Sequence, residues 1–281
     1  MIKHFKPTTP GRRGMSVVNR RAIVTVDEPY KPLTYGRKRA VGRNNAGLLT
    51  TRHKGGGHKR LYREIDFAYN KKDIPARVET VEYDPNRSCF IALVSYRDGE
   101  KRYVLLPASI KVGDVFTVSA NADVKMGNRL PLRKIAVGTQ VFNVEIHPNG
   151  GAKLVRSAGA FAEVLSNDAG YVNLKMPSGE VRKVSEEAWA TVGAASNDEH
   201  NLVNYGKAGR SRWKGIRPTV RGTAMNPVDH PHGGGEGRQG RGRRRAVSMW
   251  GKPTGKGQKT RTPKKYLNVF RVSRRPSKRK K

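Results

Sequence analysis

The chain of 281 residues contains one cysteine, Cys89, and no apolar run approaching the roughly 18 residues of a membrane span. A single cysteine excludes an intramolecular disulfide and gives no sign of an oxidising compartment. Cys89 opens an apolar stretch, so we expect a buried, unreactive thiol. The first residues lack the apolar stretch of a secretory signal, and neither end has an amphipathic helical pattern. We therefore expect a cytoplasmic protein without a membrane partner.

Acidic residues are scarce at both ends of the chain. Residues 1–60 hold 15 Lys and Arg against 2 Asp and Glu, a net charge of +13, and residues 205–281 hold 24 against 2, a net charge of +22. Residues 61–204 hold 18 of each sign and are neutral, so the two ends account for the whole net charge of +35. A neutral body with two cationic arms is typical of a protein that docks on a polyanion and places its arms between phosphates.

The first part of the neutral body reads as β-structure. Short apolar or alternating segments are separated by turn signals such as Asp84-Pro85-Asn86-Arg87. They predict five strands at residues 62–68, 76–83, 89–96, 102–107 and 114–119. Five short strands without a helical period indicate a small closed barrel, of which the OB-fold is the commonest nucleic-acid-binding example.

A second set of short segments follows a junction at Met126-Gly127-Asn128. It predicts a second small barrel, with strands at residues 139–146, 153–157, 160–165, 171–176 and 181–185. The pattern does not distinguish an OB-like from an SH3-like barrel here. Helix is scarce, and Glu186 to Val192 is expected to form one short helical turn. The predicted organisation is a basic N-terminal extension (1–60), a first barrel (61–125), a second barrel (126–204) and a basic C-terminal extension (205–281), both extensions being long and irregular.

A glycine-rich basic segment precedes the first barrel. Its glycines let backbone N–H groups approach phosphates closely, while the flanking side chains supply charge. A flexible linker is the alternative interpretation, and the two are compatible. The candidate RNA-binding residues here are Arg52, His53, Lys54, Gly55, Gly56, Gly57, His58, Lys59 and Arg60.

The segment Arg221 to Arg238 gathers Asp229, His230, His232 and Glu236. A metal site is disfavoured because the spacing matches no zinc pattern and Pro231 separates the histidines rigidly. Acid–base catalysis by His230 is disfavoured because adjacent residues rarely aim their side chains at each other, and no nucleophile is evident. A loop that folds against RNA needs no further assumption.

Three other features belong to the arms and to the tryptophans. The Gly/Arg stretch Gly237 to Arg245 resembles RNA-binding RGG tracts, and Arg271 to Lys281 forms a basic tail that could also be a localisation signal. Trp213 and Trp250 lie in basic segments, where they either stack on bases or anchor an arm in an apolar cluster. Trp189 lies in the neutral body, and we expect it in the core.

Several stretches together resemble the universal L-two family of large-subunit ribosomal proteins in its bacterial form. They occur in family order and are Pro10–Arg13, Gly42–Asn45, Thr50–Arg60, Glu82–Arg87, Arg156–Gly159, Ser178–Arg182, Gly206–Gly209 and Arg217–Arg238. Residues 14–41 fit the family pattern loosely. The stretch Gln239 to Met249 is unusually rich in arginine, with Ser248-Met249 before Trp250 where the family pattern has Thr-Pro.

The resemblance implies an OB-like barrel followed by an SH3-like barrel, and direct binding to large-subunit rRNA. Arg87 and Arg156 match arginines that the family uses for rRNA. The segment around His230 matches the part that points towards the peptidyl transferase region, and His230 matches a histidine once proposed to take part in peptide-bond formation. The resemblance also implies a contribution to subunit joining and contact with small-subunit rRNA.

We therefore expect a non-catalytic structural constituent of the large ribosomal subunit that binds rRNA early and organises it. The expected partners are large-subunit rRNA, small-subunit rRNA at the subunit interface and other ribosomal proteins, without a homo-oligomer. We expect no metal site and no cofactor apart from Mg²⁺ associated with the rRNA. The rival hypotheses are a His230-dependent role in peptidyl transfer and a free RNA chaperone or DNA-compacting protein. The remaining candidate RNA-binding residues are Arg87, Arg156, Lys207, Arg212, Trp213, Arg217, Arg221, Asn226, His230, His232 and Arg238.

Overall fold

The computed structural model describes residues 2–39, 41–255, 261–262 and 264–274. Short strands make up most of the regular secondary structure of these residues, as the alternating pattern predicts. The strands are β1 (Ile2–His4), β2 (Ser16–Val18), β3 (Thr34–Gly36), β4 (Leu61–Arg63), β5 (Ala76–Glu82), β6 (Ile91–Tyr96), β7 (Lys101–Leu105), β8 (Val115–Phe116), β9 (Arg129–Pro131), β10 (Gln140–Phe142), β11 (Val144–Glu145), β12 (Ala152–Leu154), β13 (Ala162–Asp168), β14 (Tyr171–Lys175), β15 (Val181–Ser185), β16 (Trp189–Val192) and β17 (Arg271–Ser273). The α-helices are α1 (Pro10–Arg13) and α2 (Ala208–Trp213), and single 3-10 turns lie at Arg20–Ala22, Lys31–Leu33, Leu132–Lys134, Asp198–Leu202, Gly222–Ala224 and Tyr266–Asn268.

The chain divides into two compact units. The barrel unit contains the described parts of Met1–Lys38, Lys59–Lys207 and Val269–Lys281. The basic unit contains the described parts of Arg39–His58 and Ala208–Asn268. This division keeps both barrels in one unit and combines a piece of each cationic arm in the other.

The first barrel is built on an antiparallel four-stranded sheet in the order β7-β6-β5-β8. Strand β6 is buried on both faces: Ala92 and Val94 join one apolar cluster, while Ile91 and Leu93 join another. A register shift in β5 adds a bulge, which bends the strand and increases the curl of the sheet. The curled sheet agrees with the predicted OB-like barrel. Cys89 is buried beside this sheet as expected, and burial raises the pKa of its thiol.

The second barrel is built on a seven-stranded sheet in the order β17-β15-β14-β13-β10-β16-β9. Alternate residues of its strands, such as Val172 and Leu174 of β14, point into one apolar cluster. Strand β17 comes from the C-terminal arm and pairs with β15 at the edge of the sheet. That pairing was not predicted, because three residues in a basic tail carry no strand pattern of their own.

The segment expected to form a helical turn was predicted wrongly. Residues Trp189–Val192 form strand β16, which pairs with β10 on one side and with β9 on the other. Thr191 and Val192 are β-branched and favour strand over helix, and three of the four residues of β16 are buried. The pairing of β16 on both sides outweighs the helix-forming residues at 186–188.

A buried ion pair of the second barrel, Arg129 with Glu145, contacts the first barrel through Tyr69. The guanidinium of Arg129, which is only 1% exposed, donates to Oε1 of Glu145 at 2.9 Å and to the carbonyl of Asn143 at 2.6 Å. Tyr69 of the first barrel lies 4.5 Å beneath the same guanidinium and accepts a hydrogen bond from the Asn143 amide. Burial lowers the pKa of Arg129 from its ordinary value, which makes its charged partners essential.

Among the described residues, no helix is long and apolar enough to cross a membrane.

Candidate nucleic-acid interface

The glycine-rich segment of the N-terminal arm runs antiparallel to a segment of the C-terminal arm inside the basic unit. We call this pairing, residues 53–58 with 213–218, the glycine ladder. Its backbone hydrogen bonds run from Gly55 N–H to the Gly215 carbonyl (3.0 Å), from His58 N–H to the Trp213 carbonyl (2.9 Å) and from Arg217 N–H to the His53 carbonyl (3.0 Å). An isolated bridge pairs Lys54 with Ile216. The segment is therefore a hydrogen-bonded element rather than a flexible linker.

The ladder depends on glycine where its two chains approach most closely. Gly57 has a φ of +84°, and a Cβ built on it would lie 2.6 Å from the backbone nitrogen of Gly215. Any side chain would push the chains apart and would also strain the left-handed backbone. The guanidinium of Arg39 then binds the carbonyls of Gly56 (2.9 Å) and His58 (3.2 Å), so one arginine fixes the outer edge of the glycine segment.

Cationic side chains project from this rigid backbone. Arg52, Lys54, Arg212 and Arg217 are exposed, while His53 is half-buried and its Nδ1 lies 3.0 Å from the carbonyl of Pro218. Pairing fixes the spacing of the exposed cations, which reduces the entropy lost when they bind phosphates. The arrangement suits a polyanion with charges at regular intervals.

In the barrel unit, Arg87 and Arg156 meet at one aromatic ring. The guanidinium carbon of Arg87 lies 5.7 Å from the ring centroid of Phe67, and that of Arg156 lies 4.4 Å from the same centroid. Arg87 comes from the turn after β5, and Arg156 from the loop after β12, so each barrel contributes one arginine. Two cations held within about 10 Å of each other repel unless an anion lies near them.

One of these cations is already paired, and the other is not. Arg87 donates to the buried carboxylate of Asp84 at 2.5 Å, and Asp84 also lies 3.8 Å from Arg63. Arg156 is exposed, contacts Phe67 and donates to the carbonyl of Ala152 at 3.3 Å. Within the described part of the chain no carboxylate pairs with Arg156. Arg156 is therefore available to a phosphate.

The His230 loop, residues 221–234, is closed by its own backbone. His230 is only 8% exposed, and its ring packs so tightly on Gly222 that a Cβ there would lie 2.5 Å from the imidazole. The N–H of His232 donates to Nδ1 of His230 at 3.0 Å, and the two rings lie 4.7 Å apart. Because a backbone N–H can only donate, Nδ1 of His230 carries no proton. His230 thus holds the loop closed from within, and the exposed tip of the loop is Val228.

His232 extends this loop towards the arginine-rich stretch. Its Nε2 accepts a hydrogen bond from the N–H of Val247 at 3.0 Å, so this nitrogen is also unprotonated. Partial removal from water lowers the pKa of His232, and the His230 ring with Arg241 and Arg243 lowers it further. Both histidines therefore serve the structure as neutral acceptors. Among the described residues no group of His, Cys, Asp and Glu is arranged to hold a metal ion.

The sequence-predicted candidates divide between the two units. The barrel unit holds Lys59, Arg60, Arg87, Arg156 and Lys207. The basic unit holds Arg52, His53, Lys54, Gly55, Gly56, Gly57, His58, Arg212, Trp213, Arg217, Arg221, Asn226, His230, His232 and Arg238. Arg221, Asn226 and Arg238 are exposed around the His230 loop. The structure brings Arg87 and Arg156 together, and it brings the glycine segment together with residues 213–218.

Sequence reasoning missed the residues that position these candidates. Phe67 and Arg39 were not singled out, although the first carries two arginines and the second fixes the glycine segment. An aromatic residue between two barrels and an arginine before a glycine run are weak signals when read alone. Arg60 was assigned to RNA, and its guanidinium donates to the carbonyl of Pro85 at 2.7 Å, which fixes the turn that carries Arg87.

The basic unit has an extreme charge balance. Its described residues hold 18 Lys and Arg against 2 Asp and Glu, a net charge of +16. Such a surface attracts polyanions over long distances and repels other cationic surfaces. Together with flat arginine side chains and close backbone approaches, it has the features of an RNA-binding surface.

Family comparisons agree with this geometry over most of the chain. Residues 30–118 match the family model for Ribosomal Proteins L2, RNA binding N-terminal domain, and residues 125–251 match that for Ribosomal Proteins L2, C-terminal domain. The first match spans the first barrel, and the second spans the second barrel together with the His230 loop. The chain therefore belongs to the L2 family of ribosomal proteins, which bind rRNA in the large subunit.

Proposed function

We propose that this chain is a non-catalytic structural constituent of the large subunit in a cytoplasmic ribosome, where it organises rRNA near the peptidyl transferase region and supports association with the small subunit. The observation that carries the proposal is the construction of the basic unit. A net charge of +16 on its described residues is held in a fixed shape by the glycine ladder and by the closed His230 loop. Such a surface stabilises packed RNA by neutralising phosphates at fixed positions.

The barrels supply the docking contact in this proposal. Arg156 is exposed, no carboxylate among the described residues pairs with it, and Phe67 holds it beside Arg87. A planar guanidinium fixed on a ring loses little freedom when it binds a phosphate. The two barrels therefore act as one docking surface on the rRNA.

The His230 loop supports a role in RNA organisation rather than in chemistry. A general base needs a free lone pair within reach of the proton that it accepts. Nδ1 of His230 already accepts the His232 N–H, and Nε2 of the neutral ring carries the proton. Loss of His230 would open the loop and change the surface that residues 221–234 present to RNA. We therefore assign His230 a positioning role.

Binding to an rRNA fragment at increasing salt tests the docking surface. Each phosphate contact contributes about −0.7 to −0.9 to the slope of log K against log salt. Arg156→Gln is expected to weaken binding and to reduce the steepness of the slope by about one such contact. Arg97→Gln, an exposed arginine of the same unit away from Phe67, is the matched control. Equal effects of the two variants would contradict the assignment of Arg156.

Sucrose-gradient sedimentation of the tagged chain from its own cells tests the structural role. The chain should follow the large subunit at low magnesium and the joined ribosome at high magnesium, and it should remain bound through a high-salt wash. His230→Ala should reduce subunit joining, whereas the isolated parent protein should not turn over an aminoacyl or peptidyl substrate. Turnover that His230→Ala abolishes would favour the catalytic alternative. Sedimentation at the top of the gradient would favour a free RNA chaperone.

A further inference from the structure

A closed hairpin within the basic unit presents a tryptophan to solvent. Residues 246–254 fold back on themselves through a hydrogen bond from Thr254 N–H to the Ala246 carbonyl (2.8 Å) and another from Ser248 N–H to the Lys252 carbonyl (2.8 Å). Trp250 lies in the tight turn of this hairpin and is 68% exposed. The turn closes through the N–H of Gly251, which has a φ of +75°. The indole is therefore held outward by a short rigid element.

Arg52, from the N-terminal arm, lies beside the Trp250 indole. The guanidinium carbon of Arg52 lies 5.7 Å from the Trp250 ring centroid. Arg52 directly precedes the glycine ladder, so both members of the pair are attached to hydrogen-bonded backbone. A cation near an exposed ring is stabilised by the ring quadrupole, and it also places positive charge beside the flat apolar surface.

Trp189 and Trp250 differ in how far the indole is buried. Trp189 is half-buried against the core of the first barrel, with the ammonium of Lys72 at 4.8 Å from its ring. Trp250 leaves most of a large aromatic surface in water, which costs free energy in the unbound chain. A large exposed aromatic on a rigid turn is typical of a binding contact.

We propose that Trp250 and Arg52 form a stacking platform for an unpaired RNA base. This inference rests on the proposed function and adds to it a site for one structural class of RNA. The indole offers a flat surface to the face of a base, and Arg52 offers charge to the adjoining phosphate. In a duplex, the faces of the bases are covered by neighbouring bases. The site therefore selects looped-out or single-stranded nucleotides.

Charge favours RNA over a protein as the occupant. The described residues of the basic unit have a net charge of +16, and their arginine-rich stretch Arg241 to Arg245 directly precedes the hairpin. A protein with an apolar pocket would bury only the indole, and its binding would remove water from the surrounding cations at a cost in free energy. A nucleotide satisfies both the ring and its charged surroundings.

Trp250 fluorescence tests the platform in the full-length chain. Trp189→Phe and Trp213→Phe leave Trp250 as the single indole, and the probes are a short oligo(A) strand and an RNA duplex of the same length. Oligo(A) should quench Trp250, whereas the duplex should leave its emission nearly unchanged. Trp250→Leu should weaken binding of oligo(A) about five- to a hundredfold, the range for loss of one base–aromatic stack. Binding of the duplex should be unaffected.

Two conservative variants provide the controls. Trp250→Phe keeps an aromatic face and should retain most of the affinity for oligo(A), and Arg52→Lys keeps the charge but loses the planar guanidinium. If Trp250→Leu binds oligo(A) as the parent does, or if oligo(A) leaves the Trp250 emission unchanged, the platform is wrong and a protein occupant becomes the better explanation. In that case the duplex would still bind, and the proposed function would stand. A parent chain that binds neither RNA would overturn both proposals.

Discussion

Replacing Glu145 by Gln should strongly destabilise the barrel unit, because it leaves the Arg129 charge buried without a counter-charge. Both side chains are almost fully buried, and Oε1 of Glu145 lies 2.9 Å from the Arg129 guanidinium. Oε2 also accepts N–H bonds from Asn149 (3.1 Å) and Trp189 (3.3 Å), so the carboxylate fixes a loop and a strand as well. Removing one partner of a buried ion pair costs about 3–5 kcal/mol. Gln keeps the size and one acceptor, which points to about 3 kcal/mol.

Urea unfolding of the full-length chain, followed by far-UV circular dichroism, measures this cost. The unfolding slope m should stay constant, because the surface exposed on unfolding does not change. Glu187→Gln is the matched control: its partner Arg133 lies 2.7 Å away, but both side chains are about half exposed. An exposed pair contributes about 0–1 kcal/mol.

Removing both charges together separates the cost of leaving one charge unpaired from the contribution of the ion pair itself. Arg129→Met combined with Glu145→Leu should restore much of the lost stability, since no unpaired charge then remains in the interior. If Glu145→Gln costs no more than Glu187→Gln, the buried pair does not stabilise the barrel unit as argued. The same result would weaken the claim that the barrels act as one docking surface, because this pair lies where they meet.

Three further results are expected. Phe67→Leu should weaken binding to an rRNA fragment, because Arg87 and Arg156 lose the ring that orients them. The slope of log K against log salt should stay unchanged, because no phosphate contact is removed; a changed slope would contradict this. Gly57→Ala should accelerate amide exchange along the glycine ladder much more than Gly47→Ala, since both have positive φ (+84° and +78°) but only the first would clash with backbone. In NMR titration, His232 should have a pKa below its ordinary 6.5, so its folded state is favoured when neutral. This contribution to stability is full above pH 6.5 and is lost as the pH falls towards the folded pKa; a midpoint at or above 6.5 would refute it.

Local pattern was sufficient to predict the β-structure of the barrels. Strand β6 is an apolar run bounded by turn signals, and the structure buries it on both faces, as expected for such a run. The turn Asp84 to Arg87 lies where Pro and Asx chemistry predict it, with Oδ1 of Asp84 accepting the Asn86 N–H at 2.8 Å. Strand β16 was missed because residues 186–188 favour helix, and its pairing with β9 and β10 depends on residues far away in sequence.

The glycine ladder could not be predicted from local pattern. His53 and Pro218 are 165 positions apart, and neither segment has a strand periodicity. What the ladder requires is glycine at the closest approach, and a glycine run is equally typical of a linker. The burial of Arg129 is a second feature that local sequence pattern could not predict. Arginine is expected on the surface, and only the complete constellation around Glu145 makes its burial favourable.

The barrels and the basic unit differ in charge, and they depend on different interactions for their shape. The barrels are built from the neutral middle of the sequence, where apolar burial can drive folding. The described residues of the basic unit include 18 cations and little apolar material, so its shape depends on backbone hydrogen bonds and glycine contacts, which repulsion between side chains does not break directly. Its cations still repel one another in the free chain, and bound phosphates would remove that repulsion. We therefore expect bound RNA to stabilise the basic unit.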